Sequence, residues 1–288
     1  MTLFGSSRAE IDKAFTAWEQ VLCPLCNKPP ERFAIDCQGF HLCRCSQCRL
    51  EFLNPRPVRE QLLRNLYNET YFDGAVTATE FTDDQITQFS HQLHRIDQLL
   101  SSPGSLLDVG CGEGAFLRFA GERKWEVCGT DVQLTPAARS LHCELLEGDL
   151  TEIDFQRQFD AIRFNHVLEH TSNPLRELIR AKELLKKGGI IFVSVPNLGG
   201  ISPWIKGLQS RLHLKQRAWR HYAALHHLWF FHPDSLAQMC KTAGLQVVLW
   251  ETPVFKKPRQ NNLEWQLSRF ILEKPHWGSI LDFYCKVE

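Results

Sequence analysis

The sequence predicts an α/β protein, a mostly parallel sheet covered by helices, preceded by a small metal-binding module. Three observations carry that expectation. Strand-like and helix-like segments alternate from Pro103 onward, the pattern of parallel strands joined by helical crossovers. A glycine-rich loop, Gly110-Cys111-Gly112-Glu113-Gly114, follows the first of those strands and opens a helix at Ala115. Six of the 11 cysteines lie between Cys23 and Cys48.

The chain has 288 residues, room for one large α/β domain and an appendage. Hydrophobic residues make up 43% and charged residues 23%, an ordinary balance for a globular protein. With 33 basic and 33 acidic residues the net charge is zero, so no bulk field holds the protein on nucleic acid. Met1-Thr2-Leu3-Phe4-Gly5-Ser6-Ser7-Arg8 contains no apolar run of signal-peptide length, and no stretch is long and uncharged enough to span a bilayer. A cytoplasmic protein is expected. Disulfides are rare in that compartment, so clustered cysteines point to metal.

Taken in order, residues 1–57 are expected to form an N-terminal helix and the metal module, and residues 58–102 a helical linker or cap. Residues 103–288 form the α/β domain, with a basic lid inserted at about 199–233. Residues 7 to 20 predict a short helix. Cys23-Pro24-Leu25-Cys26 and Cys45-Ser46-Gln47-Cys48 each place two thiolates on a tight turn, and two such knuckles complete a four-sulfur zinc site. Cys23, Cys26, Cys45 and Cys48 are the expected ligands of a structural zinc, Cys43 a substitute and Cys37 a spare thiol. So short a segment cannot bury enough to fold alone, and structural zinc supplies on the order of 10 kcal/mol. Leu62, Leu63, Leu66 and Tyr67 recur at helical spacing. Residues 85–100 form an amphipathic helix, with Ile86, Phe89, Leu93, Ile96, Leu99 and Leu100 on one face, stopped by Ser101-Ser102-Pro103-Gly104.

Strands are expected at Leu106–Val109, Trp125–Thr130, Leu145–Leu146, Phe159–Phe164, Ile190–Val195, Leu245–Trp250 and Ile280–Tyr284. A helix over 174–187 starts at the Asn173-Pro174 cap and ends at Gly188-Gly189. The loop Gly110, Cys111, Gly112, Gly114 sits at the carboxyl edge of its strand, where open α/β sheets bind ligands. Asp131, followed by Val132, ends the second strand about 20 residues later, where a carboxylate grips two ribose hydroxyls. Asp149 and Leu150 follow the third strand, a position suited to an adenine amino group. Asn165 and His166 follow the fourth, beneath the ligand's tail. The spacing is G-x-G-x-G, and nothing marks a pyrophosphate site. Asp108 in the preceding strand suits a cationic ligand bearing an ammonium and a sulfonium.

From Leu106 to Pro196 the chain resembles the class I S-adenosylmethionine-dependent methyltransferases. Leu107-Asp108-Val109-Gly110-Cys111-Gly112-Glu113-Gly114 is similar to their first motif, Asp131 to their acidic ribose position, and Val167-Leu168-Glu169-His170 and Val193-Ser194-Val195-Pro196-Asn197 to later signatures. The run from Cys45 to Pro57 and His227-Leu228-Trp229-Phe230-Phe231-His232-Pro233 resemble the branch that carries an N-terminal zinc-ribbon-like module. The resemblance implies a Rossmann-like seven-stranded sheet with a reversed final strand, and S-adenosyl-L-methionine as cofactor.

The chemistry needs an acceptor held in line with the methyl carbon and, for a hydroxyl or acidic carbon, a general base. His227 is the first candidate, on a loop before an aromatic run; packing against that run is the alternative reading. His166 is the second, in a cluster with Glu169 and His170. Ubiquinone-type O-methyltransferases have a related segment there that can hold a divalent metal. Here His166 stands where an acidic ligand is expected, and packing of Glu169-His170 at a helix start is the favoured reading. From Lys186 to Pro233 there is no Asp or Glu, while Lys206, Arg211, Lys215, Arg217 and Arg220 interleave with Trp204, Trp219 and Tyr222. This lid is expected to receive a small or carrier-linked anionic acceptor, such as a phosphate-linked sugar, or to lie peripherally on an anionic membrane. Two alternatives stand beside it: an RNA methyltransferase that uses the zinc module and lid to hold nucleic acid, and a non-catalytic cofactor-binding or assembly protein.

Overall fold

The structure, a computed structural model of the chain, describes residues 8–66, 81–100, 102–255, 262–273 and 276–287. Tyr67 and Ser101 lie outside them. Helix α1 (Arg8–Ala14) is shorter than the helix expected over 7–20. The N–H groups of Thr16 and Ala17 donate instead to Gln61 Oε1 at 2.9 and 3.1 Å, and β1 (Trp18–Glu19) pairs with β5 (Arg56–Pro57). Donors satisfied by a distant side chain no longer need the helical ladder. Between these strands run β2 (Glu31–Ile35), β3 (His41–Arg44) and β4 (Glu51–Leu53), antiparallel to one another, and α2 (Arg59–Asn65) follows.

Helix α3 (Asp83–Leu100) buries Phe89, Leu93 and Ile96 as expected, but Ile86 is exposed and Gln92 is buried. The remaining elements are β6 (Ser105–Val109), α4 (Ala115–Gly121), β7 (Glu126–Asp131), α5 (Pro136–Arg139), β8 (Glu144–Glu147), β9 (Phe159–Asn165), α6 (Pro174–Leu184) and β10 (Leu185–Pro196). After them come α7 (Ile201–Arg211), β11 (Trp229–Phe230), α8 (Pro233–Thr242), β12 (Leu245–Glu251), α9 (Asn262–Leu272) and β13 (Ile280–Val287). The main sheet has seven strands in the order β12-β13-β10-β9-β6-β7-β8. Only β13 runs against its neighbours, antiparallel to both β10 and β12. This is the Rossmann-like α/β sheet with a reversed last strand.

Chain order reverses between β6 and β9, which opens a crevice at the carboxyl ends of the central strands. Asn173 Oδ1 accepts from the Arg176 N–H at 3.2 Å, and Pro174 occupies the first turn of α6. That helix stops at Leu184, short of residue 187, because Leu185 already pairs with Phe159. Gly188 and Gly189 therefore sit in a strand irregularity and not at a helix stop. A side chain on Gly189 would come within 2.8 Å of the Asp160 carbonyl.

The N-terminal module and the lid share a second sheet, in the order β11-β4-β3-β2. Trp229 and Phe230 pair with Phe52 and Glu51, and the Phe52 and Trp229 rings lie 5.1 Å apart. Glu51, buried beneath this junction, accepts hydrogen bonds from Arg44 Nε at 2.8 Å and the Tyr222 hydroxyl at 2.7 Å. One hydrophobic core runs from Phe52 and Phe230 through Val109 and Val193 of the main sheet. Among the described residues no helix is long and apolar enough to cross a membrane.

Candidate cofactor cleft and histidine cluster

The glycine loop begins where β6 ends. Gly110 (φ +68°) and Gly114 (φ +78°) both adopt the left-handed region. A side chain on Gly110 would strike Val167 at 2.5 Å, and one on Gly114 would strike Leu141 at 2.3 Å. The N–H groups of Gly110 and Cys111 donate to the Thr130 carbonyl at 2.7 and 3.0 Å. The Gly112 N–H donates to Asp131 Oδ2 at 2.8 Å. The carboxylate at the end of β7 thus anchors the loop above it.

A cleft of about 260 Å³ lies at this edge. Of the residues singled out by sequence, Gly110, Gly112, Asp131, Val132, Asp149, Leu150 and His166 line it. Asp108, Cys111 and Asn165 line an adjoining hollow of about 290 Å³, which Gly110 also borders. Gly114 and His227 line neither. Gly114 instead starts α4 and makes room for Leu141. Asp108 is buried and bonded to Arg163 Nη1 at 2.7 Å, so its charge is met by the protein itself.

Sequence reasoning missed Arg59, Glu177 and Arg163. Arg59 reaches from α2 to Asp149 Oδ2 at 2.8 Å and Glu152 Oε1 at 2.9 Å, and it lines the cleft with the buried Glu177. Spacing carries no trace of that contact. Arg163 did leave a signal: a charge in the middle of the apolar run Phe159–Phe164 needs a partner, and the β6–β9 register sets Asp108 beside it.

Four sulfurs, those of Cys23, Cys26, Cys45 and Cys48, all lie within 4.8 Å of one another. The two knuckles close alike. Asn27 N–H donates to the Cys23 carbonyl at 2.8 Å and Arg49 N–H to the Cys45 carbonyl at 3.0 Å, with Asn27 and Arg49 at positive φ of 52° and 63°. This donor set fits a tetrahedral zinc ion. Cys43 turns away, its thiol donating to the Asn54 carbonyl at 3.2 Å, and Cys37 is exposed.

His166 Nδ1 lies 3.2 Å from Oε1 of the buried Glu169. Burial works against protonation, but the Glu169 carboxylate outweighs it and holds His166 above the usual imidazole range. The His170 ring makes T-shaped contacts with His226 and His227, at 4.8 and 5.0 Å. Burial pushes His170 down to about 4 and His227 to about 3. Lys215, Arg217 and Arg220 line neither hollow.

Residues 81–249 match the model of a methyltransferase domain. The chain is 29% identical over 157 residues to a ubiquinone biosynthesis O-methyltransferase of Azoarcus sp. (strain BH72), which covers 50% of this chain and 64% of that protein. That is less than two thirds of the relative's length. It is 31% identical over 164 residues to a probable tRNA methyltransferase 9B of Mus musculus, covering 51% of this chain and 36% of that one. The fold is similar to that of the Burkholderia thailandensis 1,6-didemethyltoxoflavin-N1-methyltransferase, whose crystal structure holds 1,6-didemethyltoxoflavin and S-adenosylhomocysteine. The TM-score is 0.55 at 18% identity, over 90% of this chain and 100% of that one. The chain belongs to the methyltransferase-domain family and carries its class I, S-adenosylmethionine-dependent form.

Proposed function

We propose that the protein methylates a hydroxyl on a small head group borne by an anionic carrier. The carrying observation is the cleft itself, which sets Asp131 and the glycine loop beside the His166–Glu169 pair. S-adenosylmethionine, when bound, supplies a methyl group on a sulfonium whose leaving group is a neutral thioether. Asp131 receives the ribose hydroxyls, and Asp149 and Leu150 the adenine. The loop edge, with Asp108 and Asn165 behind it, shapes the hollow for the amino-acid tail. His166 is the better-placed of the two candidate bases, since it lines the cleft and is held basic by Glu169. It would take the acceptor hydroxyl's proton, leaving an oxygen able to receive the methyl group that the bound cofactor would supply, with the neutral thioether as leaving group. The half-buried Lys215 and the exposed Arg217 and Arg220 lie outside the hollows, where a phosphate-bearing carrier would rest while its head group enters.

Cys23, Cys26, Cys45 and Cys48 hold a structural zinc in this reading. None of the 11 cysteines is paired in a disulfide, which suits a cytoplasmic location. The partial likeness to a tRNA methyltransferase supports a second reading, in which the basic lid holds RNA.

Four outcomes test the proposal. Asp131→Ala should weaken S-adenosylhomocysteine binding at least tenfold in calorimetry, since each charge-assisted hydrogen bond contributes about 1.5–3 kcal/mol; unchanged affinity would remove the cofactor assignment. His166→Ala should lower kcat by about 10²–10⁴, and full turnover would eliminate it as base. Neutralising Lys215, Arg217 and Arg220 should raise KM for a phosphorylated acceptor and leave cofactor binding intact. Transfer of labelled methyl to RNA alone would replace the acceptor class.

A separate prediction concerns Glu177. Burial, with the Asp149 carboxylate beside it, pushes this carboxyl from 4.5 up to about 8. The folded state then keeps a proton that the unfolded chain loses, so this group's contribution to stability falls as pH rises from about 4.5 to 8. Glu177→Gln should abolish that fall, and its melting temperature should overtake that of the unmodified protein as pH rises. Parallel melting curves from pH 5 to 8.5 would contradict a protonated Glu177.

A further inference from the structure

The segment that carries His226 and His227 is held in backbone conformations side chains rarely adopt. Trp219 (φ 60°), Ala223 (φ 50°) and Leu225 (φ 75°) are all left-handed, and none is glycine. Such strain persists only where the surrounding structure over-determines it, and it clusters at functional sites. Its local result is to bring two successive histidines against His170, which stands at the far side of the strand-to-helix turn after β9.

One ring nitrogen from each of the three histidines lies within 4.8 Å of the others. Two bonds of about 2.1 Å at a tetrahedral angle separate ligand atoms by about 3.4 Å, a closure within reach of small ring rotations. His170 Nδ1 sits 2.7 Å from the His226 carbonyl oxygen. An imidazole that gives its Nδ1 proton to a carbonyl presents the Nε2 lone pair outward, the arrangement that orients metal-binding histidines. Glu169 supplies a separate observation. It is 1% exposed, its Oε1 lies 3.8 Å from His170 Nε2, and its buried Oε2 has no hydrogen-bond partner. His166 meets Oε1 alone. A buried carboxylate oxygen without a hydrogen-bond partner is costly unless a further donor or cation meets it.

We propose that His170, His226 and His227 bind a divalent transition-metal ion of the class that prefers imidazole, zinc foremost, with Glu169 as the neighbouring carboxylate. Two of the three ligands come from the lid, so the site exists only once the lid has folded onto the main sheet. Three protein ligands leave a coordination position open, and His170 lines the cofactor cleft. On the methyl-transfer reading above, that position takes the acceptor hydroxyl and strengthens it as an acid.

The test is metal stoichiometry of the full chain, independent of turnover. Metal-stripped protein titrated with Co²⁺ should bind two equivalents. One should show thiolate-to-cobalt charge transfer, from the cysteine site, and the other ligand-field absorption alone. Zinc-loaded protein should carry two zinc ions per chain by mass spectrometry. The His226→Gln/His227→Gln double variant should carry one, keep the charge-transfer band and bind S-adenosylhomocysteine within about twofold of the unmodified protein. Saturation at one equivalent with the thiolate signature, in the unmodified protein, would overturn the site without recourse to any variant. A second equivalent retained by the double variant would overturn the ligand assignment. Two ions in a protein that methylates nothing would keep the metal site and remove the proposed function.

Discussion

Arg163 and Asp108 lie side by side on the two central strands, buried, and the floor of the cofactor edge depends on their pairing. Arg163 Nη1 meets Asp108 at 2.7 Å, while its Nε and Nη2 both donate to Gln92 Oε1, at 3.1 and 3.0 Å. Gln92 in turn donates to Asn165 Oδ1 at 3.0 Å. The guanidinium also covers the Phe116 ring at 3.8 Å. One network thereby joins α3, β6, β9 and α4 directly beneath the glycine loop. Removing either charge would leave the other buried and unpaired, a loss of about 3–5 kcal/mol in such settings. The network holds the loop and Asn165 in register, and it spends Asp108's charge on the protein, not on a ligand.

The cysteine module is built into the catalytic body rather than appended to it. Its third strand, β4, receives β11 from the lid, and Glu51 bonds Tyr222 across that junction. On its other side, α2 sends Arg59 to Asp149, and both line the cleft. The module therefore contacts both residues 229–230 and the wall of the cleft. This gives the module a mechanical reason to accompany the methyltransferase fold, since a lid without it would lack the edge strand on which to pair.

The histidines divide by environment, not by residue type. His166, in the cleft and backed by Glu169, is held basic. Burial pushes His170 and His227, in T-shaped contact with each other, below the usual imidazole range. The same side chain is shifted up in one place and down in the other, because burial and the nearest carboxylate act with opposite sign.

The sequence by itself determined what is written in short-range pattern. The alternation of strands and helices, the left-handed glycines after β6, Asp131 at the end of β7 and the paired knuckles are all set by residues close together in the chain, where period and turn chemistry act. Tertiary structure decided the rest. Asp108 finds Arg163 across 55 positions, Arg59 finds Asp149 across 90, and His170 meets the His226 carbonyl across 56. Such pairs leave no periodic trace, because strand register and the path of the lid bring them together. For the same reason Gly114 serves packing against Leu141, His227 lies away from the cleft, and the helices expected over 7–20 and 174–187 end early. At each of these places a partner distant in sequence satisfied a backbone or a charge that local propensity would have left to its neighbours.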